Sequence, residues 1–130
     1  MKQPYYTYAF EKLEIWQIAR EFKKKIYKLT KQFPKDEIYG LTSQIKRSVG
    51  SITANIAEGS ARSTDKDRAY FMTISYSSGI ETLDHLITAF DQEYISEKEY
   101  TALRIEMDKL LNKINAYHTY LIERDSRLSK

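Results

Sequence analysis

The sequence predicts an all-α protein folded as an antiparallel, up-down-up-down four-helix bundle. Three observations predict it. Apolar residues step by three and four through four long stretches, the spacing of one helical face. Only 4 glycines and 2 prolines occur in 130 residues, so long regular elements are joined by short connections. No alternating strand pattern, internal repeat or low-complexity tract interrupts them. Helices with short links pack as alternating neighbours, and this stepping favours shallow left-handed crossings of roughly 20°. A chain of 130 residues has room for one domain, residues 1–130, with one core.

The first helix is expected over 10–33. Its stripe is Ile15, Ala19, Phe22, Ile26, Leu29 and Phe33, widened by Leu13 and Trp16. Pro34 ends it, because the residue before a proline is steered out of the helical region. The second helix is expected over 37–58, with Asp36 as N-cap and Gly59 as a left-handed stop. Its apolar face is Leu41, Ile45, Val49, Ile52 and Ile56. The third is expected over 65–92, where Thr64 and Asp67 form a weakened capping box. Phe71, Ile74 and Ser78 share one of its sides. Tyr76, Ile80, Leu83, Ile87 and Phe90 share another, which points to burial against more than one neighbour. The fourth is expected over 97–124, opened by the capping box of Ser96 and Glu99. Tyr100, Leu103, Met107, Leu110, Ile114, Tyr117 and Leu121 make an unbroken heptad seam. The polar end from Asp125 to Lys130 is expected to fray.

Beside its apolar face the second helix carries a polar stripe: Gln44, Arg47, Ser48, Ser51, Asn55 and Glu58. A solvated face usually carries Lys and Glu, so this stripe is expected to face protein. Every buried polar group there needs a partner. Arg47 is expected to pair with an acid such as Glu81 or Glu58, since a buried unpaired charge is costly. A structural hydrogen-bond ladder is the reading we favour over a ligand or nucleic-acid groove.

Charge is unevenly distributed behind a net +3. Residues 1–33 hold eight Lys/Arg and three Asp/Glu, whereas residues 70–95 hold no Lys or Arg and four acids. Three readings stay open: two solvated faces, a basic surface for nucleic acid or an acidic partner, or opposite patches that pair between subunits. Tyrosine is abundant, with 11 in the chain, and Tyr5, Tyr6, Tyr8 and Phe10 crowd the arm before the first helix. Such rings suit protein interfaces and also stack on unpaired bases. The arm folds either onto its own bundle or onto a neighbouring subunit.

Little points to catalysis. Cysteine is absent, which removes disulfides, thiolate metal sites and thiol nucleophiles and fits a reducing compartment. A metal at His85 would need Glu81 or Asp84 to join it, and no Glu-x-x-His motif occurs. Nothing resembles a phosphate-cradling glycine loop or a serine triad. No cofactor or metal is expected. No run approaches the ~18 apolar residues of a spanning helix. The start, Met1-Lys2-Gln3-Pro4-Tyr5-Tyr6, lacks the apolar core of a signal peptide. A cytoplasmic protein with no membrane partner is expected.

The run Tyr39-Gly40-Leu41-Thr42-Ser43-Gln44-Ile45-Lys46-Arg47-Ser48, with Ser51-Ile52-Thr53-Ala54-Asn55-Ile56-Ala57-Glu58-Gly59, resembles the four-helix bundle family of 23S ribosomal RNA intervening-sequence proteins. Phe10-Glu11-Lys12-Leu13-Glu14-Ile15-Trp16 looks like that family's first-helix start. Phe71-Met72-Thr73-Ile74 with Ser77-Ser78-Gly79-Ile80-Glu81 is similar to its third-helix motif. The likeness covers about residues 8–124. Two departures are Thr53, where the family often has Pro, and Ser77-Ser78, where it often has Gly-Ser. The resemblance implies an antiparallel four-helix bundle and, by analogy, a homopentameric ring. It also relates the chain to the accessory protein of diversity-generating retroelements, a basic pentamer that binds nucleic acid and a reverse transcriptase. It supplies no catalytic residues.

The resulting expectation is a non-enzymatic, oligomeric bundle that binds RNA or DNA through a basic surface. The candidate contacts are Arg20, Lys23, Lys24, Lys28 and Lys31 of the first helix, with Arg62, Lys66 and Arg68 after the second. A reverse-transcriptase-like protein is a further candidate partner. The alternative is a protein-interaction scaffold or accessory subunit without nucleic-acid binding, using the tyrosine arm and the acidic third helix.

Overall fold

A computed structural model describes residues 3–128, with the side chains of 127 and 128 left aside. Four α-helices follow one another: α1 (Glu14–Leu29), α2 (Leu41–Ser60), α3 (Asp65–Asp91) and α4 (Glu97–Leu128). Among the described residues the other regular pieces are short 3-10 turns, at Ala9–Lys12, Thr30–Gln32 and Lys35–Glu37. The predicted all-α bundle is what forms. Ile15, Ala19, Phe22 and Ile26 of α1 meet Ile45, Val49, Ile52 and Ile56 of α2 in one core. Met72, Leu86 and Ala89 of α3 and Leu103, Met107, Leu110, Ile114 and Leu121 of α4 complete it. The stripes read for the first, second and fourth helices are therefore the buried ones, save Tyr100 and Tyr117, which are half-buried. The third helix differs. It buries the small-residue face of Ala69, Met72, Ser75, Ser78, Gly79 and Thr82 with Leu86 and Ala89. Phe71, Ile74, Tyr76, Leu83, Ile87 and Phe90 are half-buried at its flanks and Ile80 is exposed, because close approach to α2 leaves little room for large side chains on the inner face.

Several boundaries differ, each for a physical reason. The first helix is not continuous from residue 10, because Leu13 is extended (φ −72°, ψ 128°) and separates the Ala9–Lys12 turn from α1. It also tightens into a 3-10 turn at Thr30–Gln32 rather than running on to Phe33. Asp36 does not cap the second helix. That segment forms its own turn, and α2 begins at Leu41 behind Gly40. The capping acceptor is Glu37, whose Oε1 takes the Leu41 N–H at 3.1 Å while its Oε2 accepts the Tyr94 hydroxyl at 2.8 Å. Gly59 is not a left-handed stop, since no glycine has positive φ and α2 continues to Ser60. Its role is close approach: a Cβ there would lie 2.9 Å from Phe71 Cβ. The left-handed residue is Glu93 (φ 61°) after α3, where Tyr94 N–H reaches Ala89 O at 2.9 Å and Glu93 N–H reaches Phe90 O at 3.0 Å. That pairing closes the orphan carbonyls of the helix end.

The two predicted boxes behave differently. Thr64 Oγ1 accepts the Asp67 N–H at 3.2 Å, one half of a box. Ser96 and Glu99 exchange both bonds, Glu99 N–H to Ser96 Oγ at 3.1 Å and Ser96 N–H to Glu99 Oε1 at 3.0 Å. The fourth helix extends past the expected end at 124 to Leu128. Arg124 explains this: its Nε and Nη2 donate to the buried carboxylate of Asp65 at 2.5 and 2.6 Å, tying the end of α4 to the start of α3.

The most extensive contact is α2 against α3, and α1 meets α4 far less. Small residues make the α2–α3 approach close. Ser75 Oγ donates across the seam to the backbone carbonyl of Ile52 at 2.9 Å. Thr82 Oγ1 donates to Ser48 Oγ at 2.8 Å, and Ser48 Oγ in turn to Ile45 O at 3.2 Å. All three hydroxyl residues are buried.

Candidate nucleic-acid interface

Helical spacing aligns Arg20, Lys24 and Lys28 along one exposed row of α1, opposite the apolar stripe that anchors it, and Lys31 follows in the Thr30–Gln32 turn. The structure divides the eight basic candidates into three groups. Lys28, Lys31 and Lys66 are exposed and, among the described residues, have no ion-pair or hydrogen-bond partner. Arg20, Lys24 and Arg62 are exposed but engaged. The Arg20 guanidinium lies over Trp16 at 5.4 Å, Arg62 lies over Phe71 at 4.6 Å, and Lys24 meets Glu21 at 3.3 Å. Lys23 and Arg68 turn toward protein. Lys23 Nζ donates to Thr53 Oγ1 of α2 at 3.4 Å, and Arg68 joins Asp65 at 2.8 Å.

These groups do not form one cluster. The N-terminal arm packs by Tyr8, Ala9 and Phe10 beside Ala57, Glu58, Ser60 and Ala61 at the end of α2. Arg62 and Lys66 therefore sit at the bundle end where α1 starts. Lys28 and Lys31 lie 8 and 11 residues beyond Arg20, the former about 12 Å along the axis at 1.5 Å per residue.

The polar stripe of α2 splits between interior and rim. Ser51 Oγ and Ser78 Oγ are 2.8 Å apart, and Asn55 Nδ2 donates to Ser51 O at 2.8 Å and Ser51 Oγ at 2.9 Å. Gln44, Arg47 and Glu58 are exposed. Arg47 is nonetheless paired: it meets Glu81 of α3, and its Nε donates to Gln44 Oε1 at 3.1 Å. Burial pushes the Glu81 carboxyl up, but hydrogen bonds from His85 and Arg47 outweigh it and hold the group below its usual range. Glu58 takes no part in the ladder.

The Asp65 cluster was not visible in the sequence. Its carboxyl is held down to about 2, chiefly by the Arg124 hydrogen bonds and then by Arg68, against the opposing effect of burial. The sequence hints are the i,i+3 spacing of Asp65 and Arg68 on one helix and an arginine in the last turns of another. Lys25, absent from the candidates, bridges to Glu106 of α4.

No convergent catalytic set accompanies these groups. Two open clefts of about 530 and 430 Å³ run between α1 and α4, floored by Leu29, Leu103, Ile18 and Phe22 and rimmed by Lys and Glu. Among the described residues no three His, Asp or Glu side chains gather to hold a metal. His85 is bonded at 3.1 Å to Glu81. No helix among the described residues is long and apolar enough to cross a membrane.

A family model described as 23S rRNA-intervening sequence protein matches residues 11–116. Among solved structures, a protein of unknown function from the S23 ribosomal protein family of Bacteroides thetaiotaomicron is similar. It is 23% identical, with a TM-score of 0.70 over 78% of this chain and 95% of that one. No curated protein matches the chain.

Proposed function

Because the chain belongs to the 23S rRNA-intervening sequence protein family, we propose that it is a non-enzymatic, self-associating bundle that binds RNA or DNA through the basic row of α1. One observation carries this reading: Lys28, in line with Arg20 and Lys24, and Lys31, in the turn that follows, stand exposed and unpaired. Meanwhile two of the three acids of residues 1–33 have cationic partners within the protein, and the third accepts a backbone N–H. Glu11 accepts the Tyr8 N–H at 2.8 Å, Glu14 pairs with Lys113 at 2.6 Å, and Glu21 pairs with Lys24 at 3.3 Å. With Glu21 offset by Lys24, Arg20, Lys28 and Lys31 leave the row net positive, the sign that a phosphate backbone selects. Assembly as a ring, a homopentamer by family analogy, would repeat the net +3 of each chain within a shared field.

Binding to a mixed-sequence RNA and DNA panel tests the reading. We expect sequence-tolerant binding that weakens steeply with salt, and a shallower salt slope after Lys28→Ala/Lys31→Ala. Absence of binding at low salt would overturn it. Light scattering at micromolar concentration tests self-association, which a monomer would contradict.

The α1–α4 clefts favour a second reading, an accessory scaffold that docks a protein such as a reverse-transcriptase-like partner. Protein capture that survives nuclease treatment, together with no affinity for the nucleic-acid panel, would favour it.

A further inference from the structure

We infer that the nucleic acid taken by this chain is single-stranded, and that the exposed tyrosines of the N-terminal arm stack on its bases beside Arg20. The inference deepens the function proposed above and rests on it.

The arm is held in place while its rings are left in solvent. Its backbone is fixed by the Tyr8 N–H to Glu11 bond at 2.8 Å and by Gln17 Nε2, which donates to Glu11 O at 2.9 Å. Phe10 anchors it edge-on against Trp16, with ring centroids 5.0 Å apart. Yet Tyr5, Tyr6 and Tyr8 are 63%, 73% and 61% exposed. An arm folded to cover its own bundle would bury these rings. This one buries Phe10 in part and presents the tyrosines outward.

Tyr5 also adjoins the basic row, with Tyr6 following it in the arm and Tyr8 set beside the end of α2. Tyr5 and Thr7 line a cleft of about 510 Å³ with Trp16, Gln17 and Arg20. Arg20 stacks on Trp16 and opens the row Arg20, Lys24, Lys28, which runs about 12 Å along α1 and is continued by Lys31 in the turn that follows. Aromatic faces therefore lie at one end of a line of cations. Both Glu11 and Glu21 border this cleft; Glu21 is offset by Lys24, while Glu11 accepts the Tyr8 N–H and keeps its negative charge facing Arg20 across the cleft.

This pairing of rings and cations selects strandedness. A duplex keeps its base faces stacked on one another and offers a protein its phosphates and groove edges. An unpaired strand offers base faces to side-chain rings while its phosphates follow the cations. Every base has such a face, so the preference is for strandedness rather than sequence.

The test uses the full chain with a labelled mixed-sequence oligonucleotide, presented either single-stranded or as its duplex. Single strand should bind about tenfold tighter or more, since stacking each base contributes about 1–3 kcal/mol and 1.4 kcal/mol is tenfold. Tyr5→Ala/Tyr6→Ala/Tyr8→Ala should weaken single-strand binding about tenfold and leave duplex binding unchanged. The matching Phe triple should keep wild-type preference. Trp16 is the chain's one tryptophan, and its emission gives a second readout that single strand should alter more than duplex. Equal affinity for the two forms would overturn the inference and leave the proposed function standing. So would an Ala triple that weakens both forms alike, or one that keeps full single-strand affinity. An Ala triple that dissociates into smaller species by light scattering would also overturn it, by placing the rings against a second copy. Failure of wild type to bind either form at low salt would instead remove the proposed function itself.

Discussion

Gly50 and Gly59 lie nine residues apart in α2, and the same substitution at each should move stability in opposite directions. At Gly50 an added Cβ meets nothing within 4 Å. Gly50→Ala therefore gains helix propensity with no steric opposition, about 0.5–1 kcal/mol of stabilisation. At Gly59 the new Cβ falls 2.9 Å from Phe71 Cβ, 3.0 Å from Met72 Cε and 3.4 Å from Arg68 O. Met72 Cε can swing aside, but Phe71 Cβ is fixed to the α3 backbone. Carbon atoms in contact favour about 3.5–4.0 Å, so α3 must retreat by about half an ångström or more. Overpacking of this kind costs about 1–3 kcal/mol, of which at most about 1 returns as helix propensity. The net expectation for Gly59→Ala is a loss of up to about 2 kcal/mol, leaving the two variants about 0.5–3 kcal/mol apart. Urea unfolding followed by far-UV circular dichroism measures the difference, at one fixed protein concentration because association adds stability. Midpoints that shift in the same direction for both variants would refute the reasoning that α2–α3 spacing is set by the missing side chain at Gly59.

Three further outcomes follow from the same structure. Thr82→Val keeps the side-chain shape but leaves Ser48 Oγ and Ser78 O without the Thr82 hydroxyl, which lies 2.8 Å from each. A loss of about 1–2 kcal/mol in urea unfolding is expected, and an unchanged midpoint would show that the bond contributes nothing. Glu93→Gly should stabilise by about 0.5–1 kcal/mol, because Glu93 holds a left-handed φ of 61° that glycine adopts without strain. A destabilised variant would mean that the Glu93 side chain matters more than its backbone. The Asp65 carboxyl titrates near 2 when folded and near the ordinary aspartate value of about 3.9 when unfolded. Its stabilising contribution is therefore complete above about pH 4 and is lost as pH falls toward 2. Acid titration of wild type against Asp65→Asn should show this loss in wild type alone, and parallel curves would count against the ion cluster.

The helices were legible because burial repeats with the helical period. Ile15, Ala19, Phe22 and Ile26, and likewise Leu103, Met107, Leu110 and Ile114, are spaced as they are because each must reach the same interior. Helix ends were less legible because their partners come from elsewhere. Glu37 serves Leu41 from four residues away while also bonding Tyr94 of the α3–α4 link, and no local pattern favours it over Asp36. Gly59 was ambiguous by nature. A glycine can supply either a left-handed turn or a close approach, and only Phe71 across the seam decides between them. The polar stripe was half legible. Ser48, Ser51 and Asn55 do face protein, but the inner ladder is completed by Ser75, Ser78 and Thr82, and Glu58 stands outside it. Among the cations, sequence marks the row on α1 but not its availability. Lys23 reaches Thr53 only because the fold brings α2 near, whereas Arg68 meets Asp65 locally, three residues away on α3.

The uneven grip on α1 has a consequence for how the molecule opens. Across α2 and α3 the backbones approach closely enough for Ser75 to bond a carbonyl on the opposing helix. Toward α4, by contrast, α1 is spanned across open clefts by surface bridges, Lys25 to Glu106, Gln32 to Glu99 and Lys113 to Glu14. Exposed bridges of this kind hold little free energy, and salt weakens them further. Native-state hydrogen exchange should accordingly protect amides of α2, α3 and the middle of α4 longest. The amides of α1 should exchange through a separate, lower-energy excursion in which it lifts away and the other three helices stay packed.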